Sequence, residues 1–130
     1  MKEQAIMNKN RPMNLDLTTL AFPAQAIASI LHRLSGLAIF ILLPFVMYAL
    51  QLSLKDSSAF TDLKISLANP YNKFMWWSFL TAAWYHSIAG IRHLVMDLGF
   101  GESVHQGRLT AWMVIILGIV GSIGLGVWVC

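Results

Sequence analysis

The sequence predicts an all-α integral membrane protein with three transmembrane helices. Hydrophobic residues make up 57% of the 130 residues and charged residues only 12%, about half the charged fraction of an ordinary soluble domain. A membrane-spanning helix needs about 20 mostly apolar residues. Three segments meet that length, at residues 28–54, 74–96 and 109–128.

The same composition argues against several other classes of protein. The net charge is +3, but the basic residues are scattered at the ends of apolar segments and form no stripe for nucleic acid. The single cysteine, Cys130, permits no disulfide within the chain and no C-x-x-C-H site for covalent haem. We expect no cleaved leader, because Glu3 and Asp16 lie in the first 26 residues and the apolar block follows them.

Taken in order, the elements divide the chain into two parts. Residues 1–27 are predicted to be a cytoplasmic N-terminal segment of extended chain and an interfacial turn, and residues 28–130 a three-helix transmembrane domain. Pro44 should kink the first helix, since it removes a backbone hydrogen bond and crowds the preceding turn. Residues 55–73 are predicted to form a polar loop. The shorter connection 97–108 contains Gly99 and Gly101, which suit the end of a helix.

The distribution of lysine and arginine predicts the orientation. Six of the nine lie near the N-terminus or the second connection, and three lie in the first connection. Positive residues accumulate on the cytoplasmic side. We therefore expect the N-terminus and the second connection to be cytoplasmic.

The second apolar segment contains histidines that a lipid-facing helix would not tolerate without a partner. His86, Gly90 and His93 are spaced i, i+4, i+7 and share one helical face. A glycine between two histidines would leave room for a flat porphyrin, with one imidazole as axial ligand. Alternatively, the histidine bonds to a neighbouring helix and Gly90 only permits close packing.

If a haem is bound by two histidines, this chain cannot supply both. His86 and His93 are about 10.5 Å apart along the helix at 1.5 Å per residue. His32 is predicted to lie at the cytoplasmic entrance, too shallow to meet His86, and His105 lies in a connection. The haem interpretation thus requires a partner subunit.

A second polar cluster opens the first span. Ser29, His32 and Arg33 are spaced i, i+3, i+4 and converge on one face. A hydroxyl, an imidazole and a guanidinium suit a haem propionate, a quinone oxygen, or both. The alternative is an arginine that reaches the headgroups as part of the positive-inside signal, which accounts poorly for the histidine. At the end of the second span, Arg92, His93 and Asp97 lie on the same membrane side, and we expect an ion pair between His93 and Asp97.

These motifs resemble the large cytochrome b membrane-anchor family of succinate dehydrogenase, respiratory complex II. The stretch "RPMNLDL" with "FPAQAIASILHRLSG" is similar to the family's N-terminal signature, and "HSIAGIRHLVMD" to its second-helix motif. The "RPMNLDL" form resembles the bacterial branch. The resemblance extends over residues 11–128.

The resemblance implies half of a heterodimeric helical bundle that holds one haem b. It implies that His86 is this chain's axial ligand, that His32 and Arg33 contact propionates, and that Ser29 and Arg33 line the ubiquinone site. His93, Arg92 and Asp97 would surround the ligand. The implied partners are a small membrane-anchor subunit, an iron–sulfur subunit and a flavoprotein subunit at a bacterial inner membrane. Fumarate reductase is a close rival. A different class, a small transport or assembly subunit whose histidines pack or relay protons, would bind no haem.

Overall fold

The computed structural model describes residues 23–101 and 103–129, and these are helical apart from short connections. In chain order the helices are α1 (Ala24–Lys55), α2 (Ser57–Leu67), α3 (Pro70–Asp97) and α4 (Val104–Val129). The all-α prediction is confirmed. The predicted extended chain and turn near the N-terminus lie almost wholly outside the described residues.

Helix α1 begins earlier than predicted. It follows the extended residue Pro23 directly, so its first residue is Ala24, four residues before the predicted start. The helix has 32 residues and continues through Pro44. At 1.5 Å per residue it is about 48 Å long, enough to cross the hydrocarbon layer and extend beyond it.

The predicted polar loop of residues 55–73 is wrong, because most of it is helix α2. Asp56 caps this helix: its Oδ1 accepts hydrogen bonds from the Ser58 hydroxyl at 2.6 Å and from the Ala59 amide at 2.7 Å. These hydrogen bonds hold the pKa of Asp56 below its usual range, and the bond from Ser58 has the larger effect. Asn69 caps α3 in the same manner through the Tyr71 amide at 2.9 Å.

Two helices, α1 and α4, are long and apolar enough to cross a membrane. Helix α3 has 28 residues, which is sufficient length, but its composition is more polar. Its polar residues lie in both halves, with Asn72 and Lys73 in the first turn and His86, Arg92, His93 and Asp97 in the C-terminal half. Among the described residues the structure thus supports two apolar spans, and the prediction of three is confirmed only in part.

The three long helices all contact one another, with α3 packed against both α1 and α4. Glycines of α4 accommodate aromatic side chains of α3. A Cβ at Gly118 would lie 2.5 Å from Cδ2 of Tyr85, and one at Gly121 would collide with the Trp84 indole. Gly124 faces open space. Gly118 and Gly121 therefore serve packing within the chain, whereas Gly124 does not.

The surface of the bundle is unusually apolar for a chain on its own. The buried core consists mainly of alanines, and among the described residues no large side chain is fully buried. Large apolar groups point outward instead; Phe40, for example, is 73% exposed. Such a surface is expected of a protein surrounded by lipid or by partner subunits.

Candidate functional site

Three histidine rings meet between α1 and α3. The His32 ring stacks on that of His86, with centroids 4.2 Å apart and planes at 22°. The His32 ring also contacts the ring of His93, with centroids 5.0 Å apart and planes at 48°. The prediction that His32 is too shallow to meet His86 is wrong.

The contact between His32 and His86 follows from the course of the two helices. Helix α1 begins at Ala24, so His32 lies in its third turn. Aromatic contacts pair His32 with His86 and Phe45 with Trp76, so α1 and α3 run antiparallel. An early position on α1 therefore reaches a late position on α3.

The His86 ring is held through its Nδ1 atom. This nitrogen lies 3.1 Å from the Ser35 hydroxyl oxygen and 3.2 Å from the His32 carbonyl oxygen. The Ser35 hydroxyl donates its proton to the same carbonyl at 2.7 Å. Both neighbours of Nδ1 therefore act as acceptors, and the network assigns the proton to Nδ1. The lone pair is then on Nε2, the atom available to a metal.

Two residues that sequence reasoning did not single out complete this arrangement. Ser35 is buried, with 8% of its surface exposed. At Gly36 a Cβ would lie 3.1 Å from Cε1 of His86, tighter than ordinary packing. Their spacing from His32, i+3 and i+4, places all three on one helical face and could have identified them.

The free nitrogens of His86 and His32 differ in accessibility. Nε2 of His86 makes no hydrogen bond within the described residues and reaches the surface of the chain. Nε2 of His32 is buried, also without a hydrogen-bond partner there. It lies 3.6 Å from the position of a Cβ at Gly90. The space that we expected Gly90 to leave for a porphyrin is thus filled by the His32 ring.

Ser29 and Arg33 lie one turn apart on α1, beside His32. Arg33 is exposed and Ser29 is partly exposed. Within the described part of the chain neither side chain has a hydrogen-bond or ion-pair partner. The predicted polar cluster is therefore open on its outer side.

The residues at the end of α3 are arranged differently from the prediction. Arg92 is buried and turns towards α4, where it donates to the Gly107 carbonyl at 3.0 Å and to the Thr110 hydroxyl at 3.1 Å. Asp97 is exposed. Over residues 23–101 and 103–129 no ion pair joins it to His93, so the expected pair is not formed.

The three histidines do not form a metal centre by themselves. In the part of the chain that the structure describes, no group of three or more His, Cys, Asp or Glu side chains could hold a metal ion. Any metal at this site would have to take one imidazole from this chain and further ligands from elsewhere.

Comparison with known proteins decides the class of membrane protein. Residues 7–125 match the family described as succinate dehydrogenase/fumarate reductase transmembrane subunit. The chain belongs to this family. The predicted resemblance is confirmed, and membership makes the chain a membrane-anchor subunit of this class of oxidoreductase.

Individual relatives support the same assignment along nearly the whole chain. The succinate dehydrogenase cytochrome b556 subunit of Coxiella burnetii is 43% identical, covering 95% of this chain and 99% of its own length. The cytochrome b556 subunit of Rickettsia bellii is 37% identical over 98% and 97%. The cytochrome b560 subunit of Reclinomonas americana is 30% identical over 95% and 88%. The names of these relatives, as b-type cytochromes, support haem binding in the family.

Proposed function

We propose that this chain anchors a succinate:quinone oxidoreductase in the bacterial inner membrane, ligates a haem b through His86 and helps to form its ubiquinone site. The observation that carries the proposal is the state of the His86 imidazole. One nitrogen is fixed by Ser35 and the His32 carbonyl, and the other has no hydrogen-bond partner within the described residues. Relatives that cover almost the whole chain bear the name of b-type cytochromes.

The residues around His86 fit a haem. A neutral imidazole with its proton held on Nδ1 presents Nε2 as the ligand atom that iron requires. Nε2 of His32 lacks a partner within the described residues, but it is buried against Gly90, so the ring would have to turn outward before a propionate could bond to it. Arg33, exposed one residue later, adds a fixed positive charge for a carboxylate. When bound, the haem supplies a one-electron carrier between the soluble subunits and quinone.

A partner would supply a further ligand to the haem iron. His86 and His93 are about 10.5 Å apart along α3, too far apart to bind one iron together. His32 presents a buried nitrogen against Gly90. A small membrane-anchor subunit with its own histidine would complete the coordination. It would also cover exposed apolar side chains of the bundle and make α3 the third span, with its polar residues facing protein instead of lipid.

Ser29 and Arg33 are proposed to hold the reacting carbonyl of ubiquinone. That oxygen gains negative charge as electrons arrive and must then take up a proton. A hydroxyl and a guanidinium fixed beside it stabilise the charged state more than the neutral one, which accelerates reduction. Neither group has a partner within the described residues, so both are free to bind it.

The charge distribution supports a cytoplasmic N-terminus, since six of the nine basic residues lie on the side of the N-terminus and the second connection. In this orientation Ser29 and Arg33 lie near the cytoplasmic face. An iron–sulfur subunit docked there, with a flavoprotein that oxidises succinate behind it, would deliver electrons close to the quinone.

The test is the optical spectrum of the assembled complex with His86→Ala. We expect loss or strong change of the low-spin b-type bands after reduction, because the iron loses a ligand. His105→Ala, which removes an exposed imidazole elsewhere in the chain, is the matched control and should retain the parental spectrum. A parental spectrum in the His86 variant would exclude His86 as the ligand. A colourless parental complex would contradict haem binding by this chain.

A further inference from the structure

We propose that Ser35 is the positioning residue for the His86 imidazole, and that its hydroxyl tunes the redox potential of a metal bound at Nε2. This inference rests on the proposed role of His86 as axial ligand. It concerns a residue that does not touch the metal and acts only through the histidine.

The hydrogen bonds around Ser35 determine to which group its hydroxyl donates and from which group it accepts. Its single hydroxyl proton is committed to the His32 carbonyl, one turn back on α1, at 2.7 Å. The oxygen can therefore only accept from His86, whose Nδ1 is 3.1 Å away. The His32 carbonyl, at 3.2 Å from Nδ1, is a second acceptor. If Nδ1 carried the lone pair instead, it would face two oxygen lone pairs at these distances.

The ring is also held mechanically against α1. A Cβ at Gly36 would come within 3.1 Å of Cε1 and 3.4 Å of Nδ1 of His86. The glycine thus allows the Nδ1–Cε1 edge to approach the α1 backbone, where Ser35 can reach it. Nε2 makes no hydrogen bond to α1 or to any other described residue. Ser35 and Gly36 together hold the Nδ1 side of the ring against α1 and leave Nε2 unbonded.

This arrangement has an electronic consequence. A hydrogen bond from the distal N–H of a ligating imidazole to an acceptor makes the ligand more basic. A more basic ligand stabilises the oxidised metal more than the reduced metal, and so lowers the midpoint potential.

The experiment compares variants of the whole complex by redox titration of the haem. Loss of a hydrogen bond to a metal ligand typically changes affinity about tenfold or more. If Ser35→Ala weakens the ligand's preference for the oxidised over the reduced haem iron about tenfold, the midpoint potential of the haem rises by about 59 mV for one electron. Ser35→Thr retains a hydroxyl and should stay close to the parental midpoint.

Ser87→Ala is the matched control. Ser87 lies on α3, next to His86, and donates to the Ala83 carbonyl at 2.8 Å, but it is exposed and bonds to no histidine. Its loss should leave the midpoint unchanged. A merely structural role of Ser35 would lower the stability of the complex without moving the potential. A parental midpoint and parental low-spin signal in Ser35→Ala would overturn the inference.

Two further outcomes separate this inference from the proposed function. If His86→Ala abolishes the low-spin haem while Ser35→Ala changes nothing, the ligand assignment holds and the role of Ser35 is wrong. If His86→Ala leaves the haem unchanged, the proposed function fails first. If the complex with Ser35→Ala does not assemble, Ser35→Cys takes its place. The cysteine sulfur is a weaker acceptor than the serine hydroxyl, so the midpoint potential should rise, but by less than the rise expected for Ser35→Ala. A parental value there contradicts the inference.

Discussion

Helix α3 contacts its two neighbours with polar side chains that are satisfied to different degrees. Towards α4, the Trp77 indole donates to the Ser122 carbonyl at 2.9 Å and the Trp84 indole to the Leu117 carbonyl at 3.0 Å. Arg92 donates twice within the same interface. Towards α1, only one nitrogen of His86 is bonded, and Nε2 of His32 is buried without a partner in the described residues.

The difference separates structural from functional polarity in this chain. A polar group inside a membrane is costly unless it is paired, so the bonded Trp77, Trp84 and Arg92 mark the α3–α4 contact as a structural interface. The Trp76 indole and the Thr81 hydroxyl of α3 are also buried without a partner in the described residues, so an unpaired atom alone does not mark a functional group. His86, His32, Ser29 and Arg33 differ from them in lying together on the α1 side.

The largest effect should follow from removal of the open polar groups on α1. In the assembled complex, Ser29→Ala or Arg33→Leu should slow succinate-driven ubiquinone reduction about 10²-fold, the typical loss for one preorganised donor. Succinate oxidation with an artificial dye at the flavin should remain nearly intact, because that site is remote. The measurement is the ratio of quinone-linked to dye-linked turnover in one preparation.

Two controls make this ratio interpretable. Arg33 could also hold a propionate, so haem content must be checked by the pyridine haemochrome method, and Ser29→Ala is the sharper variant. Ser87→Ala removes an exposed hydroxyl of α3 and should leave the ratio unchanged. If Ser29→Ala keeps the parental ratio and the parental quinone KM, its hydroxyl has no part in the quinone site.

A smaller effect is expected in the structural interface. Gly118→Ala would place a Cβ 2.5 Å from the ring of Tyr85, a buried side chain whose hydroxyl bonds to the Ala28 carbonyl at 3.3 Å. Overpacking of this kind costs about 1–3 kcal/mol. We expect a lower temperature of thermal inactivation of the purified complex, with an unchanged ratio of quinone-linked to dye-linked turnover.

Gly124→Ala is the matched control on the same helix. A Cβ there meets nothing within 4 Å, and alanine favours a helix over glycine by about 1 kcal/mol. It should preserve or raise the inactivation temperature. Equal behaviour of the two variants would show that the α3–α4 contact is looser than the structure indicates.

The smallest effect concerns the cap of α2, outside the spans. The Ser58 hydroxyl and then the Ala59 amide lower the pKa of Asp56, so the carboxylate stabilises the folded state above its ordinary pKa of 3.8. That contribution is lost as the pH falls through the lowered value. Asp56→Ala should accelerate amide hydrogen exchange in the first turn of α2 at neutral pH, and in the parent the protection factor of the same amides should fall in acid. Asp62→Ala, later in α2, is the control; a similar acceleration there would contradict the capping role.

The sequence was sufficient for the long helices, because apolar length and the polar positions within it are local properties. It was insufficient for the register between α1 and α3. That register depends on where α1 begins and on the path of residues 56–69. Helix α1 starts at Ala24 instead of residue 28, and its antiparallel packing on α3 brings His32 against His86.

Helix α2 was missed for a related reason. The polar composition of its segment suggested a loop, although Asp56 before "SSAFTDLKISL" is a good capping residue. The role of Ser35 was missed because a helical serine is common and only its contact with His86 distinguishes it. Contacts between helices distant in sequence are the part that local patterns do not contain.

Chemical rescue of a His86→Gly complex by imidazole tests the central claim most directly, because it asks whether a free ligand can replace that side chain. Without imidazole we expect the low-spin b-type spectrum to be lost, and with imidazole in the buffer to return. His93→Gly should keep the parental spectrum without any addition. A low-spin spectrum in His86→Gly without imidazole, or a loss confined to His93→Gly, would contradict the account.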